Sequence, residues 1–291
     1  MPTPIPANRP DSSAPATTQP ALHFIILTSF FPESRRALRF AAELAAPLGA
    51  ELVLLHVDQR ALLSVEIRDP EPHWAPQELE RGLQTLASEL PVPATIELAT
   101  DLLPDLVDDL ARRYRPALFV LGRPAAADTD FELGAAVQEV LRNAQLPLLV
   151  VPEAYDRPAV PQLLAIGAGP PFALHAGAGA ARLLLRQLPA PRSLVVTVSS
   201  SQNDEACAAA LHHVRESGLL PARAGGPAVE GFYAAQPETG LLQAVSCTSA
   251  DWLVVLSRRR HLLGDFFHRS ITTHLLRHSP VPVLVVPAIA V

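Results

Sequence analysis

Short unbroken apolar runs alternate with longer stretches in which apolar residues return every three or four positions, and this alternation continues from Leu22 almost to the end of the chain. The runs are four to seven residues long, as in FIIL at 24–27, LVLL at 52–55 and LLVV at 148–151. A run without polar interruption is the pattern of a strand buried on both faces. Between the first two runs, Leu38, Ala41, Ala42 and Ala45 share one face of a helix predicted over 33–47. Gly49 stands just beyond it, where the chain must tolerate positive φ. After a long connection at 58–74, which contains Pro70 and Pro72, the pattern gives helices at 76–90, 104–114 and 134–144. Strands are predicted at 22–27, 51–57, 94–99, 117–122 and 147–151. The order βαβαβαβαβ implies right-handed crossovers and a parallel sheet covered by helices on both faces.

The chain then repeats itself. Residues 117–152 align without a gap to residues 252–287 at an offset of 135, with 13 of the 36 pairs identical. The identities include Asp130 with Asp265, Phe131 with Phe266, Leu141-Arg142 with Leu276-Arg277, and the bounding prolines of the last run. A period of this length is a small domain, too long for a solenoid unit. Residues 1–21 are therefore read as a flexible tail, 22–152 as one domain, 153–161 as a linker and 162–287 as a second domain. In the second domain strands are predicted at 163–166, 194–198, 229–234, 252–256 and 281–286, with helices at 172–188, 204–217, 238–247 and 269–278. The expected fold class is α/β: two tandem open-sheet domains, each a five-stranded parallel sheet with helices on both faces.

Composition narrows the function. No apolar run approaches the roughly 20 residues that cross a bilayer, and residues 1–21 lack the apolar centre of a secretory signal, so a cytoplasmic protein with no membrane partner is expected. Cys207 and Cys247 are too few for a disulfide framework or a zinc site and are expected as buried thiols on helices. Every fixed positive charge is Arg. Residues 1–156 carry 12 Arg against 22 acidic residues, while residues 157–291 carry 11 against 7. Only the second half favours an anion, and nucleic acid is not expected as a partner.

The strand, loop, helix and strand closing each half, LFVLG…VQEVLRNAQLPLLVVP and WLVVLS…ITTHLLRHSPVPVLVVP, resemble the universal stress protein family, as does the opening FIILTSFFPESRRALRFAAELAAPLGAELVLLHV. The resemblance covers nearly all of 22–287 as two tandem copies and implies a Rossmann-like fold. It also implies that the last strands of the two copies associate, giving an intrachain pseudo-dimer. A homodimer of whole chains and an unidentified protein partner fit the same reading.

Many members of that family bind ATP through an Asp after the first strand and a loop after the fourth. The loop reads Gly, two residues, Gly, nine residues, Gly, then Ser or Thr. Such a loop brings backbone N–H groups to phosphates with no Cβ in the way. In the first half the Asp position falls at Ser29, and the loop offers Gly122, Ala125, eight residues, Gly134 and Ala135. Asp128, Asp130 and Glu132 add negative charge where phosphates would lie. In the second half Gly167 and Ala168 stand at the Asp position, and the loop offers Ser257, Arg260, eight residues, Arg269 and Ser270. No cofactor is expected, and ATP is disfavoured. The basic loop carrying Arg258, Arg259, Arg260, His261, His268, Arg269 and Ser270 suggests a phosphate or carboxylate site, against the plainer reading of solvated arginines or pairing with the acidic half.

Catalytic patterns are missing from the sequence. His274 and His278, four apart on one helix, could reach one metal ion but have no third ligand nearby, and read better as a surface pair. Ser199 to Ser201 read as a polar turn capping the next helix, and Gly177 and Gly179 as tight packing within a helix. The expected protein is a stress-response regulator or interaction protein with degenerate nucleotide motifs and no enzymatic activity. The alternatives are a nucleotide or phospholigand sensor acting through the basic loop and a weak ATPase.

Overall fold

A computed structural model describes residues 21–28, 32–57, 76–99, 104–125, 145–222, 226–258 and 271–291. The first half contains β1 (His23–Thr28), α1 (Pro32–Leu48), β2 (Glu51–Val57), α2 (Pro76–Ser88), β3 (Ala94–Ala99), α3 (Pro104–Arg113), β4 (Ala117–Arg123) and β5 (Leu148–Pro152). The second contains β6 (Leu163–Gly167), β7 (Phe172–Leu174), a 3-10 turn at Ala176–Ala178, α4 (Gly179–Gln187), β8 (Arg192–Ser199), α5 (Asp204–Glu216), β9 (Ala228–Tyr233), α6 (Pro237–Thr248), β10 (Trp252–Arg258), α7 (Ile271–His278) and β11 (Val283–Ala290). The tail, the 58–74 connection, the helix predicted at 134–144 and most of both ligand loops lie outside the described residues.

Burial follows the sequence pattern. Phe24, Ile25 and Ile26 are consecutive and fully buried in β1, which requires cover on both faces of the sheet. In β3 and β9, at the two ends of the sheet, exposed and sheltered positions are interspersed. Gly49 ends α1 at φ +60°, the conformation its position required.

The strands form one sheet in the order β3-β2-β1-β4-β5-β11-β10-β6-β8-β9, with β7 beside β11. Pairing is parallel within each five-stranded set and antiparallel where the sets meet. There Val283, Leu284 and Val285 lie opposite Val150, Leu149 and Leu148. Aromatic residues reinforce this seam. Phe40 of α1 lies with its ring centroid 5.8 Å from that of the fully buried Trp252 in β10, and 5.8 Å from that of Tyr155. The Arg36 guanidinium donates to the Tyr155 carbonyl at 2.5 Å. The start of the second half is held as well: the Asp251 carboxylate accepts from the N–H groups of Gln162 and Leu163 at 2.8 and 2.9 Å.

The predicted helix at 172–188 is corrected. Its first residues form β7, pairing antiparallel with Ala288–Ala290 of β11, and helix begins only at Gly179. The residues Phe172, Ala173 and Leu174 suit either state, and the unpaired edge of β11 selects the strand. Of the two glycines expected to pack tightly within a helix, Gly177 does so in the 3-10 turn, where a Cβ would lie 2.2 Å from the Gln145 carbonyl oxygen across the seam, whereas a Cβ on Gly179 would meet nothing within 4 Å. Two smaller expectations also fail. Cys247 is exposed on α6, while Cys207 is half-buried with its Sγ 3.0 Å from Thr197 Oγ1. The cap of α5 is Asn203, whose side chain accepts from the Ala206 N–H, and not the serines before it.

Candidate functional site

In an open α/β sheet, ligands bind outside the carboxyl ends of the strands where the order of connections reverses. The strand order places one such point between β1 and β4 and another between β6 and β10. Both predicted loops leave the sheet at these points, so each half can be tested there.

In the first half, β4 ends at Gly122 and Arg123. Polar groups at the ends of β1 and β2 are engaged by neighbouring backbone: Thr28 Oγ1 donates to the Leu55 carbonyl at 3.1 Å, and His56 Nδ1 lies 3.1 Å from the Thr28 carbonyl oxygen. Ala125 stands where the family's loop has its second glycine. Its N–H donates to a carboxylate oxygen of Glu153 at 3.0 Å, so the amide at that position already holds an internal anion. Gly134, Asp128, Asp130, Glu132 and Ser29 lie outside the described residues.

Arg123 turns from this crevice toward the other half. Its two terminal nitrogens donate to the carbonyls of Arg277 and Ser279, at 2.5 and 2.7 Å, at the carboxyl end of α7. The last carbonyls of a helix have no intrahelical donors and carry partial negative charge, so a guanidinium satisfies both needs. Its Nε is buried without a partner among the described residues, and burial pulls its pKa below the ordinary arginine value.

In the second half, Arg258 ends β10 and donates to the Pro170 carbonyl at 2.5 Å. The other predicted anion-binding residues, Arg259, Arg260, Arg269 and Ser270, lie outside the described residues, as do His261 and His268. The chain leaving β6 does not enter a helix directly as the chain leaving β1 does. It crosses to β7 on the far side of β11, and its path runs over the carboxyl end of β10.

Other candidates carry less chemistry. His274 and His278 are both exposed with ring centroids 4.4 Å apart. Among the described residues no group of three His, Cys, Asp or Glu side chains could hold a metal ion. No described helix is long and apolar enough to cross a membrane. A cleft of ≈ 430 Å³ lies at the amino-terminal end of β6, β8 and β9, lined by Leu164, Pro191, Pro221 and Pro227 among others, away from both crevices.

The universal stress protein family model matches residues 23–152 and 184–287. The chain belongs to the universal stress protein family. The unmatched stretch between these segments holds the linker, β6, β7 and the 3-10 turn, where the second half departs from the first. Comparison with curated proteins returned no match. Among solved structures, a universal stress protein from Archaeoglobus fulgidus DSM 4304 is similar with a TM-score of 0.62 at 16% identity, covering 90% of this chain and 97% of that one. A functionally unknown protein from Pseudomonas aeruginosa PAO1 has a TM-score of 0.55 at 15% identity, covering 91% of this chain and 92% of that one. At these identities the likeness establishes the fold. It also spans both halves, as the two family matches do.

Sequence reasoning missed Glu153 and Pro170. Glu153 was assigned to a linker, and its role depends on the parallel pairing that sets Arg123 beside Pro152. Pro170 acts through a backbone carbonyl, which leaves no signature in residue type.

Proposed function

We propose that this universal stress protein acts in the cytoplasm as a regulatory or interaction protein, without enzymatic activity, its nucleotide crevices taken over by groups of its own chain. The observation that carries this reading is the Glu153 carboxylate on the Ala125 N–H. A phosphate entering there would have to displace a charge-assisted hydrogen bond and would meet a like charge. The motif spacing, one residue short and without its final hydroxyl, supports the same reading. The antiparallel β5·β11 join supports treating the halves as an internal pair, held together by high effective concentration within one chain.

The test is calorimetric titration of the full chain with ATP at physiological salt, with assay of nucleotide released on denaturation. No heat and no released nucleotide are expected. Saturable binding by the unaltered chain would overturn the reading. If that binding vanished in Arg258→Ala, the protein would be a phospholigand sensor using its basic loop. If it survived there but changed with Glu153→Gln, the first half would be the nucleotide site. Hydrolysis of the ATP would return the ATPase alternative.

A further inference from the structure

The cleft at the amino-terminal end of β6, β8 and β9 originates in strand register. Pairing of β6 with β8 begins at Leu163 and Arg192, whereas pairing of β8 with β9 begins only at Leu194 and Ala228. Pro227 comes just before Ala228 and has no N–H with which to extend the ladder. Beside Ser193 the sheet is therefore closed on the β6 side and open on the β9 side, where the cleft of ≈ 430 Å³ lies. That volume falls among small-molecule pockets, which span roughly 300–1,000 Å³.

Side chains alternate along β8, and one contact fixes their directions. Thr197 Oγ1 lies 3.0 Å from Cys207 Sγ of α5, so Thr197, Val195 and Ser193 face the layer of α4 and α5. Leu164 stands opposite Ser193 in register and shares that face. With Leu185 of α4 it makes a floor of fully buried leucines, walled by Leu220, Pro191, Pro221 and Pro227. The prolines contribute apolar surface and no donor. The turn into β8 is held against local preference, since Ala190, just before Pro191, keeps φ +44°.

Two polar groups complete the cleft. Ser193 is half-buried in its lining, and among the described residues its hydroxyl has no hydrogen-bond partner. Arg215 stands at the rim: a Cβ built on Gly226, a lining residue at φ +56°, would lie 3.3 Å from its Nη2. Among the described residues the Arg215 guanidinium makes no ion pair or hydrogen bond, and no acidic side chain lines the cleft. An apolar space edged by an unpaired cation and a hydroxyl suits a ligand with an apolar body and an anionic head.

We propose that this cleft binds a small aliphatic carboxylate, its chain on Leu164 and Leu185 and its carboxylate held by Arg215 and Ser193. The site lies at the opposite end of the strands from the second-half crevice, so it stands or falls separately from the loss of ATP binding.

Calorimetric titration of the full chain with octanoate and with 1-octanol tests it. Octanoate should saturate a single site at millimolar concentration or below and bind about tenfold more tightly than the alcohol, which lacks the charge. Arg215→Gln, at an exposed position, should erase that preference, and Ser193→Phe, which fills the cleft, should abolish binding of both compounds at an unchanged urea midpoint. Unsaturated heats, equal affinity for acid and alcohol, or octanoate binding that survives in a folded Ser193→Phe chain would overturn the proposal. Hydrogen exchange of the unaltered chain gives a reading free of any folding defect in the variants. Octanoate should slow exchange at 192–194 and 226–228, and slowing confined to other segments would place the ligand elsewhere and refute the site.

Discussion

Arg123 and Arg258 occupy the same place in the two halves, one at the end of β4 and the other at the end of β10, 135 positions apart. Both meet backbone carbonyls, but the carbonyls belong to different structures. Arg123 reaches across the seam to the end of α7, while Arg258 stays within its half and holds the Pro170 carbonyl. The comparison teaches that an arginine at a ligand-loop position can be retained for fastening, with the destination set by what lies opposite. The same inequality appears at the start of these strands. Ala117 opens β4, and Trp252, fully buried against α1 of the first half, opens β10.

The largest effect that would test this inequality is Trp252→Ala, which gives the second half the residue of the first. Removing a buried indole should cost about 3–5 kcal/mol, read as a lower denaturation midpoint in urea. If that substitution were tolerated within about 1 kcal/mol, the aromatic seam would not distinguish the halves. Arg123→Met should follow, at roughly 2–3 kcal/mol, because it strips charged donors from two helix-end carbonyls. Arg258→Ala should cost less than about 1 kcal/mol, since its contact is at the surface, and its effect should appear chiefly as faster exchange in β7. A result in which Arg258→Ala is the more damaging would reverse the assignment of the two arginines.

The smallest effect concerns pH. Burial pushes the Tyr155 phenol up to about 12, with the charge of Asp251 adding to the shift. The folded state thus holds this proton where the unfolded chain releases it. The contribution is complete below the ordinary tyrosine value near 10 and is lost as pH rises toward about 12. Tyr114, also raised to about 12, by burial and its hydrogen bond to Glu97, loses stability in the same window. Tyr155→Phe should flatten the alkaline fall of the unfolding midpoint without removing it, and an unchanged slope would place the Tyr155 hydroxyl in water.

Most of the βα order was legible because it rests on local patterns. Four adjacent aliphatic residues such as Leu52 to Leu55 can be buried together only if both faces of a sheet are covered, and Gly49 announces its helix end by its own conformational freedom. What escaped depends on neighbours distant in sequence. Pro170-Pro171 before an apolar stretch looks like the start of a helix, and only the edge of β11 makes Phe172–Leu174 a strand. The candidate site was legible as a loop without the family's glycines, but the contacts made beside it were not. Glu153 and the Pro170 carbonyl find their partners through strand register and crossing path, neither of which a residue pattern encodes.

The antiparallel join of β5 and β11 fixes more than the attachment of two halves. Every strand of one five-stranded set runs against every strand of the other, so the two crevices open at opposite poles of the molecule. No single small ligand can bridge them, and a partner docking at either pole meets the carboxyl ends of one half beside the amino ends of the other. Both poles thus share one layout of strand ends, and what distinguishes them is the side chains placed there, Arg123 at the end of β4 and Arg258 at the end of β10.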